Sequence, residues 1–400
     1  MKTAIVHDWF DKIAGSEKVV KEMLACFPGA DVFSLVDFLG DAQKRELGVD
    51  EIKASFIQRL PFAKKHFRNY LALMPMAIEQ FDLSGYDSVL SSSHAFGRSV
   101  VTNAEQLHIT YVHTPMRYAW DMQQQYLDQA GLTRGVKATF VRGVLHYLRT
   151  WDRGTANRPD VYIANSQFVA NRIRKTYDRD AEVVYPPVDV HALDLRPQKD
   201  DFFLAAGRLV SYKRFDLVVK AFAQLRDQNL VVIGKGSELE HLKAIATPNV
   251  KLMGYQSDEV LRDHMERARA FVFAAVEDFG IMPVEAQACG TPVIGMNRGG
   301  LQETVIPNQT GLLFNEQTVD AVVDAVRTMI DLPWDYFDAQ RIREHAERFS
   351  AARFRQEYRR LVRQKLSERG FGGAKTIQEL EFDPTRDMNV TGEKHEEASV

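Results

Sequence analysis

Short apolar runs alternate with helical patterns along almost the whole 400-residue chain, and that alternation leaves few folds open. The runs "TAIVH" (3–7), "DSVLS" (87–91), "HITYVH" (108–113) and "VYIAN" (161–165) form one series. A second follows with "FFLAA" (202–206), "LVVIG" (230–234), "VKLMG" (250–254), "AFVFAA" (270–275) and "TPVIG" (291–295). Helical stretches separate the runs, as at 214–226 and 257–269. Such alternation predicts parallel sheets with helices on both faces. The series breaks at "VVYPPVDVHALDLRPQKD", where three prolines and a polar run read as a linker. The expectation is an α/β chain of two Rossmann-like, doubly wound domains facing across a cleft, residues 1–195 and 196–350. In such sheets ligands bind at the carboxyl ends of the strands. The length agrees, being too great for a single core of ordinary size.

Residues 351–366 place Phe354, Tyr358, Leu361 and Lys365 on one helical face, so 351–370 is expected to be a C-terminal helix. From 371 to 400 there are seven acids and three bases, read as a disordered acidic tail. A formal net charge of −3 excludes a generic polyanion binder, so no nucleic-acid partner is expected. Cys26 and Cys289 fit no metal-ligand spacing and suggest a reducing compartment. The opening "MKTAIVHDWF" reads as a strand, and no run approaches the ~18–20 apolar residues of a membrane span. The expected location is cytoplasmic.

Three stretches carry chemistry. In "GRLVSYKRFD" (207–216), Gly207 permits a tight turn after a strand, and Arg208 and Lys213 lie beyond it with four residues between them. A planar fork and a point charge at a helix entrance suit a diphosphate, and a solvated basic turn is the equal alternative. "VIGKGSELEHL" (232–242) is a glycine turn opening a helix, where Gly234 serves either a ligand or the turn alone. In "EDFGIMPVE" (277–285), Glu277 ends a strand and Glu285 is expected on the first turn of a helix begun near Pro283. There Glu285 either complements the helix dipole or accepts hydrogen bonds from a ribose diol. Glu277 is suited to hexose hydroxyls, and the amides of Phe279, Gly280 and Ile281 to phosphate or sugar oxygens.

"GRLVSYK", "VIGKG", "MGYQSDEVL", "EDFGIMPVEAQACGTPVIGMNRGGLQETVIPNQTGLLF" and "ERFSAARF" occur here in an order that resembles glycosyltransferase family 4, retaining enzymes of the GT-B fold. With "IVHDWF", "SSSHAFGRSV", "VHTPMRYAWD" and "YPPVD", the chain looks most like bacterial mannosyltransferases of surface-polysaccharide and O-antigen assembly. The resemblance implies that Arg208 and Lys213 hold the donor diphosphate, Glu285 the ribose and Glu277 the transferred hexose. It also implies that the amides of Phe279, Gly280 and Ile281 complete the donor site with Gly207 and Gly234, and that the backbone near Gly254 and Tyr255 meets the base. In "KIAGSEKVV" the family's usual glycine pair is Ala14-Gly15 here, so Gly15 either approaches the donor phosphates or stands in a plain helix entrance capped by Ser16. His113 ends a strand before Thr114-Pro115, and the resemblance puts it beside the reacting sugar, with Arg117, Tyr118, Trp120 and Asp121 on the acceptor side. Asn165-Ser166 is either a helix cap or part of the active site.

The implied reaction moves a hexose, taken as mannose from GDP-mannose, onto a hydroxyl of a glycan or polyprenyl-linked glycan acceptor. Retention could proceed through a carboxylate nucleophile, but both glutamates are assigned to donor hydroxyls. The family implies attack from the leaving group's own face, with a diphosphate oxygen taking the acceptor proton. No Asp-x-Asp stands where the diphosphate would need it, so no metal and no cofactor are expected. A nucleotide-sugar epimerase or hydrolase and a non-catalytic nucleotide-sugar-binding subunit are the rival readings. Residues 58–74 and 133–153 mix basic and aromatic side chains, read either as core-packed helices or as peripheral contacts with the inner face of an anionic membrane.

Overall fold

The computed structural model describes residues 1–370; the tail expected over 371–400 lies outside the described residues. The chain divides into two compact units. The first holds a seven-stranded sheet: β1 (Thr3–His7), β2 (Asp31–Ser34), β3 (Ile52–Ala54), β4 (Ser88–Ser93), β5 (Leu107–Val112), β6 (Val161–Ala164) and β7 (Glu182–Val183). Their order is β3-β2-β1-β4-β5-β6-β7, and every pairing is parallel. Strand β1 is buried at every position because the sheet is covered on both faces. Ile5 packs in one layer with Val19, Val20 and Met23 of the helix Gly15–Cys26. Ala4 and Val6 pack in the opposite layer with Met74, Leu145 and Leu148.

The second unit holds β8 (Phe203–Ala206), β9 (Leu230–Ile233), β10 (Val250–Gly254), β11 (Ala270–Phe273), β12 (Val293–Met296) and β13 (Gly311–Phe314). Their order is β10-β9-β8-β11-β12-β13, again all parallel. Phe203 and Ala205 face Val218 and Phe222 on one side. Leu204 and Ala206 face Val284 and Ala288 on the other. In both sheets the chain winds outward from one strand and then returns to that strand's other side. The switch points therefore lie between β1 and β4 and between β8 and β11, where ligands of such sheets bind.

The domain boundary falls earlier than the expected 195, between Val184 and Tyr185. The stretch read as a linker is part of the second unit's core. Val188, Val190 and Leu193 are buried there, and Val188 N–H donates to Phe349 O at 2.9 Å. Prolines suggested a break, but the apolar residues interleaved with them decide the outcome. The helix Ala351–Glu368 crosses the other way: from Ala352 onward the chain groups with the first unit. Residues 165–171 group with the second unit.

In the first unit's core, Phe354 stacks on Tyr358 at 5.4 Å and meets Tyr111 edge-on at 5.8 Å. Phe354 is fully buried, so Phe354→Ala should lower the first unit's stability by about 3–5 kcal/mol. Chemical denaturation followed through amide exchange in the Ala351–Glu368 helix measures it.

Candidate functional site

Beyond the carboxyl ends of β8 and β9, two loops are locked together through their backbones. Gly207 N–H donates to Ile233 O, and Leu209 N–H to Lys235 O, both at 2.9 Å. A Cβ on Gly234 would stand 1.8 Å from Gly207 O, and one on Gly236 2.0 Å from Leu209 O. Those two glycines are thus required by the close approach of the loop that carries Arg208. The Arg208 guanidinium donates to Tyr212 Oη at 2.8 Å. Lys213 closes the short turn Ser211–Lys213, and its Nζ lies 2.8 Å from Glu277 Oε1. The two motifs read separately in sequence therefore meet in one half-buried ion pair.

Glu277 follows β11, and a glycine pair not assigned from sequence fixes its loop. Gly300 N–H donates to Glu277 O at 2.9 Å. A Cβ on Gly300 would reach 2.3 Å from Phe279 Cα, and one on Gly299 2.4 Å from Glu277 O. Gly280, at φ +88°, precedes the helix Ile281–Ala288. That start corrects the expected position of Glu285. The helix begins before Pro283, its first turn carries no acid, and Glu285 lies one turn further in. Complementing the dipole therefore does not explain Glu285. The Phe279 side chain is core, against Tyr185 and Phe349. At the end of β10, Gly254 (φ +70°) accepts from Gly234 N–H at 2.8 Å. Tyr255 is exposed, with Lys235 Nζ 4.4 Å over its ring.

The first unit gathers a second group at its own switch point. Asp8, just past β1, is fully buried and accepts hydrogen bonds from the backbone of His94, Ala95, Phe96 and Gly97 at 2.5–3.0 Å. His94 Nδ1 lies 3.1 Å from Asp8 Oδ2. His7 Nδ1 lies 3.0 Å from Ser92 O, and its Nε2 3.3 Å from Glu17 Oε1. Ser92 Oγ lies 2.8 Å from His113 Nε2. Burial opposes charge on His7, but the hydrogen bond and charge of Glu17, with Asp8, raise its pKa above the ordinary 6.5. Burial likewise opposes charge on Glu17, yet its partner His7 brings it down to about 2. Burial, with the charges of His94 and His7, pushes His113 down to about 3.

The remaining expected residues are placed as follows. Gly15 begins the helix Gly15–Cys26, with Ala14 at the N-cap position. Ser16 is therefore not the cap. Its Oγ donates to Glu17 Oε1 at 2.9 Å, while Glu17 Oε2 accepts from Ala14 N–H at 2.9 Å. Arg117 Nε donates to Thr114 Oγ1 at 3.3 Å, and Asp121 pairs with Arg172 at 2.7 Å. Trp120 Nε1 donates to Asp152 at 2.7 Å, within the buried pair that Asp152 makes with Arg98. Tyr118 turns a buried hydroxyl inward. In the second unit, Ser166 Oγ accepts from Val169 N–H at 3.1 Å, as a helix cap does, and donates to Asp278 O at 2.6 Å.

Comparison with known proteins bears on this arrangement. Residues 13–192 match the family described as Glycosyltransferase Family 4, and residues 191–351 match Glycosyl transferases group 1. The chain belongs to glycosyltransferase family 4. HepE of Anabaena, solved with UDP and glucose, superposes with this glycosyltransferase at a TM-score of 0.65 and 18% identity, over 90% of this chain and 99% of that one. The fold is therefore GT-B. A GDP-mannose-dependent α-(1-6)-phosphatidylinositol monomannoside mannosyltransferase of Mycolicibacterium smegmatis is 28% identical over 243 residues, 51% of this chain and 63% of that protein. A D-inositol 3-phosphate glycosyltransferase of Nocardioides is 28% identical over 211 residues, 43% of this chain and 46% of that protein. The chain spans about half the length of the curated relatives it matches.

Sequence reasoning did not assign His7, Asp8, Glu17, Ser92, His94, Gly299 or Gly300. A signal was present: "HD" and "SSSH" put polar residues at the ends of strands that are otherwise buried.

Two expectations follow for this glycosyltransferase. Gly300→Ala should displace the 277–280 loop, seen as faster hydrogen exchange at Phe279 and Gly280 in a still-folded second unit. As pH falls from about 6.5 toward 3, unfolded chains protonate His113 while the folded state does not, so the first unit loses stability in that window. His108, also pushed to about 3 by burial, adds the same sign. Glu17 shares that sign, and His7 has the opposite one. The His7 contribution is full below 6.5 and is lost as pH rises through its raised folded value; that of Glu17 is lost only as pH falls toward 2. Denaturation of His113→Gln across pH 4–7 should show a loss flatter by up to roughly 1.4 kcal/mol per pH unit.

Proposed function

We propose that the chain transfers a hexose, with retention, from a nucleotide-diphosphate donor to a hydroxyl of a glycan or polyprenyl-linked glycan acceptor, and that the donor is GDP-mannose. The observation that carries the reading is the ion pair between Lys213, on the loop that also carries Arg208, and Glu277, across the switch point of a parallel sheet. A cation and an anion held together there suit a substrate that is anionic at its diphosphate and rich in hydroxyls at its sugar. The mannosyltransferase relative supports mannose; the inositol-phosphate glycosyltransferase relative is the reason the donor must be measured.

In this reading Arg208 and Lys213 stabilise charge on the departing diphosphate. Glu277 accepts hydrogen bonds from the hexose and also fixes Lys213. Glu285 accepts from the ribose, and the first-turn amides at Gly280 and Ile281 face the donor oxygens. The acceptor oxygen forms its bond to the anomeric carbon on the face from which the diphosphate leaves. The C–O bond to phosphate breaks, and the acceptor's proton passes to a diphosphate oxygen. His113 hydrogen-bonds the transferred sugar. The reaction needs no metal and no cofactor.

Purified protein in EDTA, offered GDP-mannose, UDP-glucose, UDP-galactose, UDP-N-acetylglucosamine and ADP-glucose, should bind and slowly hydrolyse GDP-mannose. Arg208→Ala should lower that turnover by on the order of 10²–10³, and Glu285→Ala should weaken donor binding by roughly tenfold or more. Binding of no donor would end the transferase reading.

The same proposal includes peripheral contact with an anionic membrane at the cytoplasmic face. On the helix Val136–Gly154, Val136, Phe140 and Tyr147 are exposed on one face beside Lys137. Among the described residues no helix is long and apolar enough to cross a membrane. Phe140→Glu should reduce co-sedimentation with phosphatidylglycerol vesicles and leave donor hydrolysis unchanged.

A further inference from the structure

Four side chains form a line across the carboxyl edge of the first unit's sheet. Glu17 Oε1 lies 3.3 Å from His7 Nε2. His7 Nδ1 lies 3.0 Å from Ser92 O and 3.2 Å from Ser92 Oγ. Ser92 Oγ lies 2.8 Å from His113 Nε2. His7, Ser92 and Glu17 are all buried.

The hydrogens along this line follow from what each partner can do. A carbonyl oxygen only accepts, so His7 Nδ1 carries a hydrogen. Glu17 already accepts from Ala14 N–H at one oxygen and from Ser16 Oγ at the other. It also stands in the first turn of a helix, where the dipole favours a negative charge. As an ionised carboxylate it only accepts, so His7 Nε2 carries a hydrogen too. His7 is therefore an imidazolium. Its Nδ1–H also faces Ser92 Oγ, which leaves the serine's one hydrogen available for His113 Nε2 at 2.8 Å. When that nitrogen accepts it, the ring hydrogen of His113 is on Nδ1.

We propose that His7 is a positioning residue for the transfer reaction: a buried cation that, acting through Ser92, holds His113 neutral with its proton on Nδ1. The role rests on the reading above, in which His113 meets the transferred sugar. Its physical sense lies in the transition state. Positive charge develops at the anomeric carbon, and a protonated His113 beside it would oppose that charge. A neutral imidazole with a fixed N–H donor orients a hydroxyl without doing so.

The other groups facing the pair agree. Asp8 adds negative charge near His7, and the His94 ring lies 5.9 Å from the ring of His7 and 6.3 Å from that of His113. Tyr111 packs edge-on to His113 at 5.2 Å. The raised pKa of His7 and the lowered one of His113 have the corresponding signs.

The test is two-bond ¹H–¹⁵N correlation of histidine-labelled full-length protein between pH 5.5 and 8.5, with assignments from His7→Gln, His94→Gln and His113→Gln. The expected result is His7 protonated at both nitrogens at the acid end and losing its proton only above the ordinary 6.5, and His113 neutral with Nε2 bare. Ser92→Ala should mix the His113 tautomers and Ser92→Thr should restore the single form. In transfer assays Ser92→Ala should lower kcat by on the order of ten- to a hundredfold with little change in KM for the donor. A His7 that is neutral at the acid end, or a His113 that carries its proton on Nε2 or titrates near 6.5, overturns the proposal. So does an unchanged kcat in Ser92→Ala. The spectra need no donor, so they separate this proposal from the transferase reading. Wild-type protein that transfers nothing removes the role on that reading's account, whatever the spectra show.

Discussion

Four successive backbone N–H groups, from His94 to Gly97, converge on the carboxylate of Asp8. Everything polar in the first unit's site is arranged around that contact. A carboxylate with no exposed surface can remain only if its oxygens are fully engaged. Burial works against its ionisation, yet the neighbouring His94 and His7 and those N–H groups hold its pKa below the usual value. The result is a rigid turn after β4 that sets Ser92, His94 and, on the adjacent strand, His113 within reach of one another. Removing Asp8 would leave four amides without their acceptor, so the loop and the histidines depend on it together.

The second unit reaches comparable rigidity by a different route. Gly234 and Gly236 let the 234–238 backbone lie directly on the 207–209 backbone, and Gly299 and Gly300 do the same for residues 277–279. Side chains are excluded where main chain meets main chain, so each of these glycines is fixed by space and not by turn chemistry alone. The side chains left projecting from these locked loops, Arg208, Lys213 and Glu277, are the ones with charge. A site built this way places its charged groups accurately because the loops beneath them have little freedom to move.

Both groups lie at switch points of parallel sheets, and the topology explains why. In each sheet the central strand has neighbours reached by crossovers in opposite directions. The loops leaving it and its neighbour diverge, and the gap between them is where polar side chains can collect without interrupting the apolar layers. The buried strands supply no such room: every residue of β1 and β8 is buried, and the first charged side chains beyond them are Asp8 and Arg208.

Much of this was legible in the sequence. The alternating pattern determined two parallel α/β units, because strands buried on both faces must be continuously apolar and helices of 3.6 periodicity must cover them. The order of the motifs determined the family, and with it Arg208, Lys213, Glu277 and Glu285 as the residues of interest. Short strands such as β2, β3 and β13 escaped notice because a handful of residues carries little periodicity. The tertiary structure alone decided that the proline-rich stretch is core, since burial of Val188, Val190 and Leu193 depends on partners distant in sequence, including Phe349. It alone decided that Lys213 pairs with Glu277 across the gap from β8 to β11, and that His7, Ser92 and His113 come from three adjacent strands to form one line. Local sequence encodes what each segment prefers. Which polar groups meet is set by strand order and register, and those depend on the whole chain.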